Sequence, residues 1–110
     1  MSIVPSRGDV ILLSLDPTLG HEQVGKRPAV VLSFDFYNKA SGLCLVCPVT
    51  TQIKGYPFEV PLEGTQKTIG VALADQVRSI DWKAQAAKIV DRISPVSLAL
   101  ILAKFKPLLF

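Results

Sequence analysis

Short runs of apolar and β-branched residues, separated by turn residues, recur along most of the chain. Runs of this length bounded by Gly, Pro, Asn, Asp or Ser are typical of β-strands. They predict five strands, over residues 10–15, 29–36, 43–50, 57–62 and 70–74, with two further candidates at 77–80 and 88–93. So many strands in a small chain predict a closed or nearly closed barrel, because closure removes the exposed sheet edges.

The run at 57–62 alternates between apolar and other residues. Phe58, Val60 and Leu62 are apolar, and Glu59 and Pro61 separate them. A period of two predicts a strand with one buried face. Pro61 cannot donate a ladder hydrogen bond, so this strand is expected at a sheet edge.

The last part of the chain changes to a helical pattern. Ser94 followed by Pro95 predicts a helix start, with Ser as the N-cap, and Pro107 limits where the helix can end. Only three positions between the two prolines are polar: Ser97, Lys104 and Lys106. A lone helix on a small barrel needs an apolar face on one side only. We therefore expect a partner subunit to cover the excess apolar surface, most simply in a twofold homodimer.

Length and composition indicate which broad class of protein this is. The chain has 110 residues, of which 49% are hydrophobic and 19% are charged. These values predict one folded domain over residues 1–110 and exclude intrinsic disorder. The chain shows neither an apolar run of the roughly 20 residues that span a bilayer nor a secretory signal, so we expect a cytoplasmic protein with reduced cysteines and no membrane partner. The formal net charge of +3 is compatible with a nucleic-acid partner but does not select one.

Two motifs resemble chemical sites but are predicted to be structural. Cys44 and Cys47 match C-x-x-C, yet residues three apart in a strand point to opposite faces, so the thiols should not converge. With one histidine and no second cysteine pair, four zinc ligands would have to include carboxylates, and we expect no metal and no cofactor. Residues 20–27 nearly match a phosphate loop, but Arg27 replaces its hydroxyl residue and Pro28 precedes a strand instead of a helix.

Polar residues gather in four places, at 21–27, 50–54, 75–78 and 83–88. The first three supply carboxylates, an imidazole, guanidiniums and hydroxyls. Cleaving RNA through its own 2′-hydroxyl needs a base for that proton, an acid for the leaving 5′-oxygen and cations for the phosphate. Each residue alone also fits a structural role: Arg27 in a surface ion pair, Asp75 in a turn and Thr50 in a strand.

Several motifs spread over nearly the whole chain resemble one family. They are Gly8-Asp9, Asp16-Pro17-Thr18, Gly20-His21-Glu22-Gln23, the run from Arg27 to Ser33, Pro48-Val49-Thr50, Gly55-Tyr56-Pro57-Phe58 and the run from Asp75 to Ile80. In these the chain resembles the MazF/PemK (Kid) toxins of bacterial type II toxin–antitoxin systems. The resemblance implies a mainly β fold with a C-terminal α-helix, an SH3-like β-barrel of the CcdB/MazF/Kid type that forms a homodimer. It also implies metal-independent, sequence-specific endoribonuclease activity on single-stranded mRNA, and inhibition by a cognate antitoxin.

The resemblance also implies roles for particular residues. Arg27 and Thr50 match the catalytic pair of the MazF branch, and Glu22 matches a further acidic residue. His21 and Asp75 match two members of the triad assigned in the Kid branch. Leu73 stands where the arginine of that triad would be.

These assignments translate into chemistry. Arg27 is expected to stabilise the transition state, because its planar guanidinium donates paired hydrogen bonds to phosphate oxygens. Proton removal falls to Glu22 or His21. The remaining candidates are expected to bind substrate: Gln23, Lys26, Thr51, Gln52, Lys54, Asp75, Gln76 and Arg78.

Two other functions are compatible with the same barrel. One is a noncatalytic toxin that poisons a protein target such as a topoisomerase, as the CcdB toxins do. The other is a dimeric interaction module that has kept the fold and lost the chemistry. The match at Arg27 and Thr50 favours the enzyme, because a protein-binding toxin needs no RNA-cleaving pair.

Overall fold

The computed structural model describes residues 3–14 and 26–110. Along these residues seven strands and two α-helices follow one another. The strands are β1 (Asp9–Ser14), β2 (Lys26–Val31), β3 (Leu43–Thr50), β4 (Glu59–Pro61), β5 (Val71–Leu73), β6 (Arg78–Asp81) and β7 (Lys88–Arg92). The helices are α1 (Asp35–Ser41), between β2 and β3, and α2 (Pro95–Phe105), after β7. A 3-10 turn at Lys106–Leu108 follows α2. The predicted mainly β fold with a C-terminal helix is confirmed.

β3 is the central strand of the sheet. The sheet runs in the order β4-β5-β3-β2-β1-β7, and the described pairs are all antiparallel. One edge of β3 pairs with β2, while its other edge pairs with β6 in the first half and with β5 at the end. A single strand thus joins two parts of the sheet, and the end of β3 lies where those parts meet.

Apolar side chains form two separate clusters, one on each side of β3. Cys47 packs in the first with Ile101 of α2, and Cys44 packs in the second with Trp82. Both thiols are fully buried, and burial raises the pKa of Cys44 to about 11 and that of Cys47 to about 12. The prediction that these thiols do not converge is confirmed.

β4 and β7 end the path of the sheet, and in the described chain no ladder joins them. Asp91 of β7 bridges the gap, because its carboxylate accepts hydrogen bonds of 2.8 to 3.2 Å from the backbone N–H groups of residues 66–68. The Ser94 N–H also donates to the Glu63 carbonyl at 2.7 Å. The sheet of the described chain is therefore barrel-like but not closed, and hydrogen bonds to the loop after β4 from the β7 side connect its two ends.

The start of α2 is as predicted. The Ser94 hydroxyl accepts a hydrogen bond from the Ser97 N–H at 3.1 Å, which caps the helix. The buried Ser97 hydroxyl in turn donates to the Pro61 carbonyl at 3.0 Å, so the helix is fixed to the end of β4. On the outer face Val96 and Leu100 are 61% and 45% exposed. The described helices are all too short or too polar to cross a membrane.

The predicted strand at 29–36 is wrong beyond Val31, where β2 ends and the chain soon enters α1. Asp35 lies in the first turn of α1, and Gly42 ends the helix with a φ of 77°, a backbone conformation that favours glycine. Asn38 of α1 is fully buried and its side-chain amide donates to the Pro5 carbonyl at 2.8 Å. The short helix thus packs through a polar residue, which an apolar pattern does not detect.

Candidate active site

A cleft of about 540 Å³ opens beside the end of β3. Five residues that the sequence singled out line it: Arg27, Thr50, Gln52, Lys54 and Gln76. These residues come from separate segments of the chain, so the fold, and not their spacing in sequence, brings them together.

The pairing of β2 with β3 places Arg27 next to Thr50. Ala29 pairs with Pro48 and Val30 with Cys47. Extending that antiparallel register by two residues puts Arg27 opposite Thr50, and directly opposed residues project from the same face of a sheet. Both side chains accordingly line the cleft.

The backbone of Thr50 is closely packed. Its hydroxyl accepts a hydrogen bond from the Gln52 N–H at 3.0 Å, which leaves the hydroxyl proton free to be donated elsewhere. Gly70, directly before β5, has a φ of 121°, and a Cβ at this position would collide with the Thr50 carbonyl oxygen. Only glycine suits this close approach.

The loop at residues 51–58, here called the cleft loop, is held at its two sides. The Glu59 carboxylate accepts hydrogen bonds from the backbone N–H groups of Lys54 at 2.9 Å and Gly55 at 3.1 Å. Lys104 of α2 donates to the Pro57 carbonyl at 2.7 Å. Glu59 and Lys104 therefore fix the backbone that carries the cleft-loop side chains.

Tyr56 projects from the cleft loop and lines the cleft while remaining 43% exposed. Its hydroxyl donates a hydrogen bond to the Asp75 carboxylate. That bond, with a smaller effect of desolvation and of the Asp75 charge, raises the pKa of the Tyr56 hydroxyl above its usual value. The ring also contacts Phe58, with centroids 5.7 Å apart and planes tilted by 50°.

The charges of the cleft suit a phosphate. Arg27 and Lys54 are cationic, and the one carboxylate that lines the described cleft, Glu59, already accepts two backbone hydrogen bonds. A guanidinium and a hydroxyl side by side can both donate to the oxygens of one phosphodiester. The arrangement is therefore suited to binding a phosphodiester and stabilising charge that develops on it.

Other predicted residues lie elsewhere. Lys26 and Arg78 are exposed residues of β2 and β6, Thr51 is exposed after β3, and none of the three lines the cleft. Asp75 reaches the cleft through its bond to Tyr56. Residues 21–23, which include His21, Glu22 and Gln23, lie outside the described part of the chain, so their predicted roles stay predictions.

Two polar residues of the cleft were not predicted as site residues, Tyr56 and Glu59. Tyr56 belongs to the Gly55-Tyr56-Pro57-Phe58 motif, but nothing in that motif indicates that it lines the same cleft as Arg27 and Thr50. The alternating pattern of β4 correctly placed Glu59 away from the core, and it carried no sign that the side chain binds the loop backbone.

A second groove, of about 260 Å³, is mainly apolar. Phe34 and Phe36 line it while remaining 46% and 72% exposed, and Leu102 of α2 lines it as well. The Arg7 guanidinium lies 3.7 Å from the centroid of the Phe34 ring. This groove and the cleft share no lining residue.

The described residues contain no group of three or more His, Cys, Asp or Glu side chains placed to hold a metal ion. The expectation of a reaction without a metal remains a prediction, since the described residues do not include His21 and Glu22.

Comparison with known proteins gives consistent similarities. The family model described as PemK-like, MazF-like toxin of type II toxin–antitoxin system matches residues 6–109. The endoribonuclease toxin MazF of Escherichia coli K12 is 54% identical over 106 residues, covering 96% of this chain and 95% of that protein. Endoribonuclease EndoA of Bacillus subtilis is 33% identical, covering 90% and 98%. A crystal structure of MazE–MazF from Deinococcus radiodurans superposes with a TM-score of 0.91 at 44% identity, covering 98% of this chain and 97% of that one.

Proposed function

We propose, since the chain belongs to the family of PemK-like and MazF-like toxins of type II toxin–antitoxin systems, that it is an endoribonuclease toxin that cuts single-stranded mRNA at specific sequences. The observation that carries this proposal is the register of β2 and β3, which supports placing Arg27 beside Thr50 in an open cleft. A toxin that only binds a protein target has no use for that pair. The endoribonuclease names of the relatives also favour the enzyme.

The proposed reaction is attack of the substrate's own 2′-hydroxyl on the adjacent phosphorus. A bond forms between the 2′-oxygen and phosphorus as the bond to the 5′-oxygen breaks, giving a 2′,3′-cyclic phosphate and a 5′-hydroxyl. Arg27 donates to the non-bridging oxygens as negative charge grows on them, and the Thr50 hydroxyl adds a further donor. Glu22 or His21 accepts the 2′-hydroxyl proton, and the 5′-oxygen leaves with a proton that Arg27 or solvent supplies.

The remaining polar residues of the cleft bind the strand without taking part in the bond changes. Lys54 is exposed on the cleft loop and acts as a phosphate-positioning cation. Gln52 and Gln76 supply amide donors and acceptors suited to base edges or the sugar. Lys26, Thr51, Gln23 and Arg78 remain substrate-binding proposals beyond the cleft.

We also propose two protein partners. A second copy of the chain covers the exposed apolar positions of α2, Val96 and Leu100, in a homodimer. A cognate antitoxin supplies an acidic, partly disordered segment that folds on the basic cleft and excludes RNA. A protein that acts on mRNA and is restrained by an antitoxin belongs in the bacterial cytoplasm.

The test is incubation of the pure protein with a mixed single-stranded RNA ladder in EDTA. We expect discrete cuts whose products carry a 2′,3′-cyclic phosphate and a 5′-hydroxyl. Products with a 5′-phosphate, or activity abolished by EDTA, would refute the mechanism. Absence of cleavage with retained binding to a protein target would instead support the noncatalytic toxin.

Light scattering tests the homodimer. A mass of two chains at micromolar concentration is expected, and a shift to one chain is expected for Leu100→Lys, which places a charge on the exposed face of α2. A wild-type monomer under these conditions contradicts the proposal.

A further inference from the structure

We infer that Tyr56 is the residue on which a nucleobase of the substrate stacks, and that Asp75 holds its ring in position. This inference rests on the proposed function and names one contact of the same cleft. The cleft places Tyr56 alongside Arg27 and Thr50, so a nucleotide whose phosphate reaches that pair has its base within reach of the ring.

The exposure of Tyr56 is the first observation. Its side chain is 43% exposed although it lines a concave site, and the described hydrogen bond occupies only its hydroxyl. An aromatic ring with a free face beside a cationic cleft is how single-stranded RNA is held, since every base has a π-face that can stack.

The second observation is that the ring is fixed before substrate arrives. Asp75 accepts its hydroxyl hydrogen bond, Phe58 contacts its ring, and the Glu59 carboxylate binds the backbone N–H groups of the two residues before Tyr56 in the loop. A preordered tyrosine loses little conformational entropy on binding, so more of the stacking free energy contributes to affinity.

The third observation is that the Tyr56–Asp75 pair is poorly arranged for stability. One carboxylate oxygen of Asp75 is buried and has no hydrogen-bond partner among the described residues. A buried acceptor without a hydrogen bond lowers the stability of the fold, and a hydrogen bond from an exposed phenol adds little stability to offset that loss. The Tyr56–Asp75 hydrogen bond is therefore better explained by its effect on the orientation of the Tyr56 ring than by its effect on stability.

Affinity provides the first measurement. The probe is a random-sequence single-stranded RNA oligonucleotide with 2′-O-methyl groups, which cannot be cut through the 2′-hydroxyl. We expect Tyr56→Ala to weaken binding on the order of 10- to 100-fold, the usual effect of losing one base stack. Tyr56→Phe keeps the π-face but loses the hydrogen bond to Asp75, so it should weaken binding less than Tyr56→Ala and by about the same factor as Asp75→Ala.

Ile53→Ala is the matched control. Ile53 is a large apolar residue of the same loop, 65% exposed, and it does not line the cleft. Its replacement should leave both affinity and cleavage unchanged. Melting curves for each variant establish that it is folded, and Tyr56→Leu replaces Tyr56→Ala if the latter is not.

Cleavage specificity provides the second measurement, by sequencing the ends produced from an unmodified random RNA pool. Tyr56→Ala should relax the base preference at one position beside the cut, whereas a structural role would lower the rate at all sites alike. In a double-mutant cycle on affinity, Asp75→Ala should weaken binding in the wild type and have almost no further effect in Tyr56→Ala.

The possible outcomes distinguish the stacking role of Tyr56 from the proposed endoribonuclease activity. A wild type that cuts RNA, with a Tyr56→Ala variant that binds equally well and keeps every base preference, overturns the stacking role alone. Independent, additive effects of Tyr56 and Asp75 overturn the positioning role of Asp75. A wild type that neither binds nor cuts RNA overturns the endoribonuclease and the stacking role together.

Discussion

In the proposed reaction, Arg27 and Thr50 act on the phosphate with different chemical groups, although the β2–β3 register, extended by two residues, puts them opposite each other. The guanidinium is a fixed cation with a planar set of donors, whereas the Thr50 hydroxyl donates one hydrogen bond and already accepts one from the Gln52 N–H. Their shared task in the proposed reaction is to stabilise charge that appears only in the transition state, so their loss should affect kcat more than affinity.

Arg27→Ala is expected to lower kcat on the order of 10²- to 10³-fold with a much smaller loss of RNA affinity, as for other lost oxyanion donors. Arg27→Lys should restore little activity, because an ammonium keeps the charge without the paired donors. Lys54→Ala is the contrasting variant and should weaken binding with little change in kcat. Single-turnover cleavage beside a melting curve distinguishes these results. An Arg27→Ala protein that melts normally and cleaves at the wild-type rate ends the catalytic assignment.

Gly70→Ala should displace Thr50 and lower kcat, because its new Cβ would meet the Thr50 carbonyl oxygen. Gly42→Ala is the matched control: Gly42 also has a positive φ, 77°, but a Cβ there meets no atom of the described chain within 4 Å. Both variants carry backbone strain, so both should lose stability. Only Gly70→Ala should lose activity at temperatures where it is fully folded; equal activity in the two variants would show that the contact with Thr50 is unimportant.

At the scale of elements, the sequence predicted what depends on local signals. β3 has the predicted bounds, and α2 begins with the predicted Ser94 cap, because turn residues and caps determine both. α1 was missed, since its burial depends on the polar Asn38 and its end on Gly42. The Asp91 carboxylate was equally invisible, because its partners lie more than twenty residues earlier in the chain.

Asp91 should make stability depend on acid. Burial alone would raise its pKa, but hydrogen bonds from the backbone N–H groups of residues 66–68 and of Arg92 lower it well below the usual value. A lowered pKa in the folded state stabilises the protein above the unfolded pKa of about 3.9, and this contribution is lost as the pH falls toward the folded value.

Asp91→Asn tests this dependence, since an amide has one acceptor oxygen in place of two. Urea unfolding at neutral pH should show a loss of about 1.5–3 kcal/mol, the net worth of hydrogen bonds to a charged acceptor. Between pH 5 and pH 3 the wild type should lose more stability than the variant. Glu63→Gln, an exposed side chain that makes no hydrogen bond among the described residues, is the control and should behave like the wild type. Parallel acid curves for wild type and Asp91→Asn would contradict the role of this carboxylate.

At the scale of the whole molecule, the cleft is a product of topology. Arg27 was predicted with Thr50 because they match a family, yet their proximity follows only from the β2–β3 register. Tyr56 and Glu59 were not predicted, because no spacing in the sequence shows that the loop after β3 turns back over the end of that strand. The sequence thus predicted most of the elements and five cleft residues, and the long-range pairings bring those five together with Tyr56 and Glu59.

The two thiols of β3 can report when the apolar clusters around them open to solvent. Cys44 and Cys47 are each fully buried, one in each apolar cluster. A thiol reagent can reach either one only when its cluster opens, so single-cysteine variants made with Cys44→Ala and Cys47→Ala measure the two openings separately. Because both thiols belong to one central strand, we expect release of β3 to expose both, and the two labelling rates should agree. A tenfold difference between the two labelling rates would mean that one apolar cluster opens while the other stays packed.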